Sequence, residues 1–440
     1  MNDATTIPSL QPRRLDQTGH GPANPRIIAI NRFYWPDSSA TSQLLTDLME
    51  SLAAEGWPDV TVVTSRMLYH DSTERLAPSA EHGGVRIRRV WTSRHLWHRL
   101  RGRMLEYLTF YGSAFAVLLI EARRGDVILV TTDPPLFSVL ARLAVGLKGA
   151  RMVTWNHDLY PEVAKVLGVP LAAGALGRML RGLRNGVLRA ASDNIVISPA
   201  MAECVRGELG SLDRVSIIRN WCGTEIYPVA PAENPLREDW GLGDDFVIGY
   251  SGNLGRAHIP DKVAELVRRT QDIPGVRWLF IGGGVGLNQI RALAASAPTG
   301  TIQVRPHQNR GDLAHSLSVP DLHLVSLDPA CEGLIFPSKI YGILAAGRAT
   351  LFLGNPTSEI GVDLVQHRIG VTLDPDRPEL WRDAILALRA DPDGLAAMGA
   401  RARARHEVLT RLPVLTAWAS RLAKAAPICA RPAARSTKGG

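Results

Sequence analysis

The chain repeats one local pattern many times: a short run of apolar residues, a loop, then apolar residues at helical spacing. Arg26–Asn31 (RIIAIN) is the first run. A helix from about Thr41 to Glu55 follows, with Leu44, Leu45, Leu48, Met49 and Leu52 on one face. Gly56 stops it before the next run, Val60–Thr64 (VTVVT). A buried strand, an amphipathic helix and a second buried strand make a βαβ unit, so the sheet is expected to be parallel. Val85–Val90, Asp126–Thr131, Arg151–Asn156, Asn194–Ser198 and Val215–Arg219 continue the series. A second series starts at Phe246–Ser251. It runs through Trp278–Ile281, Ile302–Val304, Leu322–Leu327, Thr350–Leu353 and Gly370–Leu373, with helices such as Lys262–Thr270 and Leu287–Ser296 between.

The two series are separated by Ala230–Gly243, rich in Pro, Glu and Asp and poor in apolar periodicity, which reads as a linker. The expected class is α/β, with two Rossmann-like doubly wound parallel-sheet domains facing across a cleft. Ligands in such sheets sit off the carboxyl ends of the strands. The expected division is a disordered segment 1–25, an N-terminal domain 26–228, a linker 229–244, a C-terminal domain 245–412, a last helix 413–426 and a disordered tail 427–440. Pro378–Leu388, Leu395–Leu409 and Val414–Ala425 are expected helices, the last after a break at Pro413.

Bulk properties narrow the function. Of 440 residues, 45% are hydrophobic and 21% charged, a globular composition. The net charge of +8 favours an anionic partner: nucleic acid, an anionic membrane or a phosphorylated substrate. Cys204, Cys222, Cys331 and Cys429 form no CxxC pair, which suggests a reducing compartment and no metal site. Met1–Pro25 has no apolar core of a signal peptide. The longest apolar stretch, Tyr107–Ile120, falls short of the roughly 20 residues of a membrane span.

The stretch richest in chemistry is Cys331–Thr350. Phe336-Pro337-Ser338-Lys339 opens a short helix that ends at Gly347, with Pro in the first turn. A helix start favours a phosphate, and Lys339 adds a full charge. Glu332, in the loop ahead, could accept hydrogen bonds from hydroxyl groups. A polyol beside a phosphate is what a nucleotide sugar presents. The alternative is an ordinary strand–loop–helix unit with a solvated Glu and Lys.

Further segments join this one: Phe33-Tyr34-Trp35-Pro36 with the loop Ser38–Thr41, Thr132-Asp133-Pro134-Pro135-Leu136, His157-Asp158-Leu159-Tyr160-Pro161-Glu162 and Ile218-Arg219-Asn220-Trp221. In the second half they are Tyr250-Ser251-Gly252-Asn253-Leu254-Gly255-Arg256, Phe280-Ile281-Gly282-Gly283-Gly284, and Pro337-Ser338-Lys339-Ile340-Tyr341-Gly342 with Ala345-Ala346-Gly347. In order and spacing, from about Arg26 to Ala425, they resemble the retaining glycosyltransferases of family 4, with the GT-B fold. The resemblance is to the branch acting in bacterial capsule, exopolysaccharide and O-antigen assembly.

The resemblance implies a nucleotide-sugar donor, UDP favoured, held by the second half, and a polyprenyl-diphosphate-linked saccharide acceptor on the first. It implies no cofactor and no metal, front-face transfer with retention, and a last helix crossing back to the N-terminal half. It places the enzyme in the cytoplasm, peripheral on the inner face of the cytoplasmic membrane. One departure is Gly342, where the family usually has a second Glu on the donor ribose.

The implied donor residues are Ser338, Lys339, Arg256 and Asn253, with Gly282 and Gly283 as possible nucleotide contacts. Glu332 and His157 would face the donor sugar, and His157 or Asp158 could take the acceptor proton. Ser38, Ser39 and Glu162 are acceptor-side candidates. Structural roles stand beside these: a buried His157, Asp158 capping a turn, Ser39 as an N-cap, Arg256 at the surface.

Asp374-Pro375-Asp376 and Asp391-Pro392-Asp393 resemble metal-binding DxD pairs but read as turns and N-caps. The basic, Trp-containing run Trp91–Met104 is expected to touch an anionic membrane surface. No nucleic-acid-binding module is present. Two other readings remain: a catalytically silent GT-B scaffold in a polysaccharide assembly complex, supported by Gly342, and a nucleotide-sugar epimerase.

Overall fold

The computed structural model describes residues 25–69, 74–93 and 100–426. The ends expected to be disordered lie outside it but for Pro25, as do residues 94–99 of the basic run.

The first sheet contains β1 (Ile27–Ile30), β2 (Val60–Ser65), β3 (Ser79–His82), β4 (Val85–Val90), β5 (Val127–Thr131), β6 (Arg151–Asn156), β7 (Asp193–Val196) and β8 (Val215–Ile217). Their order is β3-β4-β2-β1-β5-β6-β7-β8. All pairs are parallel except β3 with β4. The sequence pattern missed β3, because Ser79–His82 is an edge strand without an apolar run. The second sheet contains β9 (Phe246–Asn253), β10 (Val276–Gly283), β11 (Ile302–Arg305), β12 (Leu322–Ser326), β13 (Ala349–Leu353) and β14 (Gly370–Leu373). Its order is β11-β10-β9-β12-β13-β14, all parallel.

Each sheet reverses its winding once among the described strands, between β1 and β5 and between β9 and β12. At these points consecutive loops turn to opposite faces and leave a crevice. The second crevice is visible in the register. β9 pairs with β10 along its whole length, from Phe246 to Asn253. With β12 it pairs only at Ile248 and Gly249. The two strands therefore separate toward their carboxyl ends.

The cores follow the pattern of the runs. Ile27, Ala29, Val62, Leu129 and Trp155 meet Leu45, Leu48 and Leu52 of the helix Ala40–Ala54 on one face of the first sheet. Ile28, Ile30 and Val130 meet Phe110, Ala114 and Phe137 on the other. The helix Arg411–Ala425 packs Leu415, Trp418 and Leu422 into the N-terminal core, with the Trp418 ring 4.5 Å from Trp155. The C-terminal helix thus crosses back to the first half. Pro413 lies in its first turn and not at a break before it.

Other boundaries shift for physical reasons. The expected plain linker carries a 3-10 turn, Pro231–Glu233, and a helix, Pro235–Asp239, whose Asn234 side chain caps the Leu236 N–H. The helix after the basic run starts at Leu100 and ends at Glu121. Its part Met104–Glu121 is long and apolar enough to cross a bilayer by length and composition, contrary to the length estimate from the sequence. Yet Phe110, Ala114 and Leu118 are buried on the sheet, and the helix connects β4 and β5 of one sheet. It is a crossover helix of the domain. The helix expected from Pro337 to Gly347 is shorter, Lys339–Ala345, with Ser338 at its N-cap position.

Candidate active site

Glycine builds the floor of the second crevice. Gly252 and Gly282, near the ends of β9 and β10, have φ of 113° and 134°. A Cβ on Gly282 would stand 2.3 Å from the Gly252 carbonyl oxygen. The two strand ends thus meet backbone to backbone, which only glycine permits. Gly283 is half-buried beside them, where a Cβ would lie 3.2 Å from His307 Nε2.

Lys339 stands over this floor. Its ammonium lies 3.7 Å from the centre of the Tyr250 ring and donates to the Tyr250 hydroxyl, which itself donates to the Asn253 carbonyl at 3.0 Å. No carboxylate lies within ion-pair distance of Lys339 among the described residues. Burial lowers its pKa to about 7. A desolvated cation without a counter-charge is a receptor for an anion. The sequence reading drew the anion site from a helix start. The helix is only seven residues long, so the weight rests on the Lys339 side chain.

His258 was not foreseen. It closes the 3-10 turn Arg256–His258, and its Nδ1 lies 2.6 Å from the Ser326 carbonyl on β12. Nδ1–H donates there, which leaves Nε2 as an acceptor. Burial, then the Lys339 charge, pushes its pKa down to about 3, so the ring is neutral. No motif marked it; its role depends on β9 and β12 being neighbours.

A cavity of about 460 Å³ joins this floor to the first half. Asn253, His258, Ser338, Lys339 and Gly342 line it from the second half, and Asp158 from the first. The halves also touch directly here: Leu159 N–H donates to the Leu334 carbonyl at 2.9 Å, and Asp158 pairs with Ile335 as an isolated bridge. Burial, then the Asp133 charge, raises the Asp158 pKa to about 7. Such a carboxylate can both accept and return a proton near neutrality. Gly342 faces an apolar wall, where a Cβ would lie 3.3 Å from Leu317 Cδ1 and 3.9 Å from Ile226 Cδ1.

The other expected residues are not brought to the cavity wall. His157 is buried, its ring 4.6 Å from Trp155, with its Nε2 unpartnered. Burial takes its pKa to about 3, which suits a hydrogen-bonding role better than a base. Glu332 accepts from Asn355 Nδ2 at 3.0 Å, outside the cavity lining. Arg256 is exposed, in the same turn as His258. Glu162 is engaged by Arg184 at 2.5 Å and Arg181 at 3.2 Å, in an ion-pair cluster outside the cavity lining. Ser38 is exposed and its carbonyl accepts from Gln43. Ser39 holds the N-cap position of Ala40–Ala54, but its hydroxyl caps nothing and has no partner. The loop is fixed instead by Asp37, which accepts from the Ser39 N–H at 2.8 Å and the Tyr69 N–H at 2.5 Å. The first DxD-like pair is a turn, with Asp374 accepting from Asp376 N–H, and the second starts the helix Pro392–Val408, with Asp391 as N-cap accepting from Gly394 N–H, both at 2.9 Å.

Ion pairs tie the halves around the cavity. Arg310 of the second half meets Glu225 and lies 3.9 Å from Asp47, which Arg411 approaches to 3.3 Å and Trp221 Nε1 to 3.0 Å. Glu359 bridges Arg219 at 2.8 Å and the Ala200 N–H at 3.2 Å.

Comparison with known proteins gives three kinds of match. Residues 40–221 match the glycosyl transferase 4-like domain family. The chain is 27% identical over 286 residues to the probable glycosyltransferase WbjE of Pseudomonas aeruginosa, covering 64% of this chain and 70% of that one. It is 25% identical over 353 residues to the putative colanic acid biosynthesis glycosyl transferase WcaI of Escherichia coli K12, covering 76% and 85%. Among solved structures, the sucrose-phosphate synthase of Thermosynechococcus elongatus superposes with a TM-score of 0.71 at 17% identity, covering 90% of this chain and 98% of that one. HepE of Anabaena, solved with UDP and glucose, gives 0.66 at 14%, covering 91% and 99%. These structural likenesses concern the fold.

Proposed function

We propose that the chain, a GT-B glycosyltransferase whose residues 40–221 match the glycosyl transferase 4-like domain, transfers a sugar, with retention, from a nucleotide-sugar donor to a lipid-linked saccharide. UDP-sugars are the favoured donors and a polyprenyl-diphosphate saccharide the favoured acceptor. The pathway class is bacterial cell-surface polysaccharide biosynthesis, in keeping with the name of WcaI, and the place of work is the cytoplasmic face of the membrane.

The carrying observation is Lys339: a half-buried residue on the cavity wall whose ammonium has no carboxylate partner among the described residues, above a floor of bare glycine backbone. A diphosphate supplies the missing charge, and its departure from the sugar is the step such a cation stabilises. Asp158, across the cavity, would take the proton of the acceptor hydroxyl. Transfer joins the acceptor oxygen to the anomeric carbon and releases the nucleoside diphosphate.

The test is thermal unfolding with a panel of nucleoside diphosphates and nucleotide sugars, without added metal, on wild type and Lys339→Ala. A ligand at 100 times its Kd adds about 2.7 kcal/mol of stability. A shift with one nucleotide that the variant loses supports the reading. A folded protein that responds to none favours the silent scaffold. The observation on that side is the apolar wall at Gly342, where the family's ribose-binding carboxylate is missing. Turnover of a nucleotide sugar without an acceptor would favour the epimerase.

A further inference from the structure

Three neighbouring helices cover one side of the N-terminal half: Leu100–Glu121, Phe137–Lys148 and Gly174–Ala190. Phe137 packs edge-on against Phe110, 6.0 Å away, joining the first two. Gly186 of the third leaves room for Arg142 of the second, where a Cβ would lie 2.7 Å from Nη1. Their inner sides are buried on the sheet. Their outer sides carry large apolar side chains in the open: Leu108 is 62% exposed, Ile120 79%, Leu143 55%, Leu147 75% and Met179 55%. In the second half, exposed apolar side chains such as Val285 and Leu380 stand on separate elements, and Val362 with Val365 is a pair on one helix.

The charges carried by these three helices are mostly basic, though Arg181 and Arg184 of the third are paired with Glu162 and Glu208. Phe137–Lys148 and Gly174–Ala190 contain no Asp or Glu. Leu100–Glu121 contains two, Glu106 and Glu121. Glu106 is buried beside Arg32, and Glu121 is held by Arg88 at 2.8 Å. Arg142 and Arg178 are exposed, and neither has a carboxylate within 4 Å among the described residues. An apolar face that carries Arg142 and Arg178 without carboxylate partners fits an anionic lipid surface, which takes the apolar side chains below its headgroups. A second copy of the chain would bring like charge against like charge.

One end of the face lies on the side of the sheet where the cleft opens. In parallel βα units the helix starts lie at the carboxyl ends of the strands. Leu105, Leu108, Leu176 and Met179 are in the first two or three turns of their helices, at the cleft edge.

We propose that this three-helix face seats the protein on an anionic phospholipid bilayer, with the cleft opening at the edge of the seat. The proposal deepens the reading of a lipid-linked acceptor and rests on it for the purpose of the seat, but its test needs no transfer activity. The full chain is floated with phosphatidylcholine vesicles, with and without phosphatidylglycerol, at low and high salt. Wild type is expected to float with the anionic vesicles and to be released by salt. Leu108→Glu with Met179→Glu is expected to lower the bound fraction about tenfold or more. Arg142→Gln with Arg178→Gln is expected to weaken binding about fivefold per charge and flatten the salt dependence. Val362→Glu with Val365→Glu, equally exposed but on the other half, is expected to float like wild type. All variants should keep the unfolding midpoint and nucleotide response of wild type, which separates a failed seat from a failed donor site. Wild type that stays in solution with both vesicles overturns the proposal, as does a Leu108→Glu, Met179→Glu variant that floats unchanged. A stable dimer by light scattering, broken by the same variant, would assign the face to a second copy and overturn it too.

Discussion

If Lys339 is the phosphate-binding cation, its lowered pKa must appear in the pH dependence of nucleotide binding. In the free protein burial holds that pKa at about 7. A bound diphosphate favours the charged form. A hydrogen bond to a charged group contributes about 1.5–3 kcal/mol, a factor of about 10 to 150 in affinity. The pKa in the complex is then about one to two pH units higher than in the free protein. Below pH 7 Lys339 is charged in both states and affinity is at its plateau. Above 7 the free protein loses the proton first, and each pH unit weakens binding about tenfold until the complex also titrates. Beyond that point both forms are neutral and affinity levels off. Titration calorimetry with UDP from pH 7 to about 9 should therefore show Kd rising roughly tenfold to hundredfold. The range starts at 7 because a terminal phosphate titrates near 6.

Lys339→Met gives the matching arm. Its Kd should be flat over the same range and equal the weak, high-pH value of wild type. A wild-type Kd that is flat from pH 7 to 9, with the variant weaker by the same factor throughout, would show that Lys339 stays charged in the free protein. The argument from an unpaired, desolvated cation would then fail. A variant that binds like wild type would remove Lys339 from the donor site altogether.

Other consequences are as sharp. Asp158→Asn should lower transfer by about 10²–10⁴-fold while leaving UDP affinity unchanged. In wild type, kcat/KM should fall as pH drops through about 7, because the base must be unprotonated and burial beside Asp133 raises its pKa. Glu162→Gln should act on stability: it leaves Arg184 with 7% of its side chain exposed and a weaker partner. Urea unfolding should show a loss of about 1–3 kcal/mol, with the KM for the donor unmoved. Gly282→Ala should cost more than about 1 kcal/mol, since a Cβ at φ of 134° meets the Gly252 carbonyl. Because that contact is the cavity floor, nucleotide affinity should fall with it.

The strands were legible from the sequence because a strand buried on both faces is apolar along nearly its whole length, as in Ile27–Ile30 and the first four residues of Val127–Thr131. The edge strand Ser79–His82 was not, since one side of it meets solvent and its register comes from β4. Lys339 and Asp158, which line one cavity, could be singled out because each follows a strand within a recognisable segment, and the carboxyl ends of strands are where such sheets bind ligands. Glu162 belongs to the same segment as Asp158 but sits in an ion-pair cluster away from the cavity. Its partners, Arg181 and Arg184, lie one helix away, and local spacing does not show which carboxylates are already paired. Glu332 raises the same difficulty through Asn355.

His258 shows most clearly what sequence leaves hidden. Alone it is a histidine at the end of a short turn, and its neighbours Arg256 and Lys262 draw more attention by their charge. It matters because β12, distant in the chain, lies beside β9 and offers the Ser326 carbonyl to Nδ1. That one hydrogen bond fixes the tautomer, and burial next to Lys339 keeps the ring neutral. The site exists because β9 leaves β12 after two paired residues while holding β10 for its full length. A cation, a neutral imidazole and bare backbone are then gathered in the gap, opposite a carboxylate from the other half. Each was written in the sequence as a residue. Their juxtaposition is a property of where two strands part.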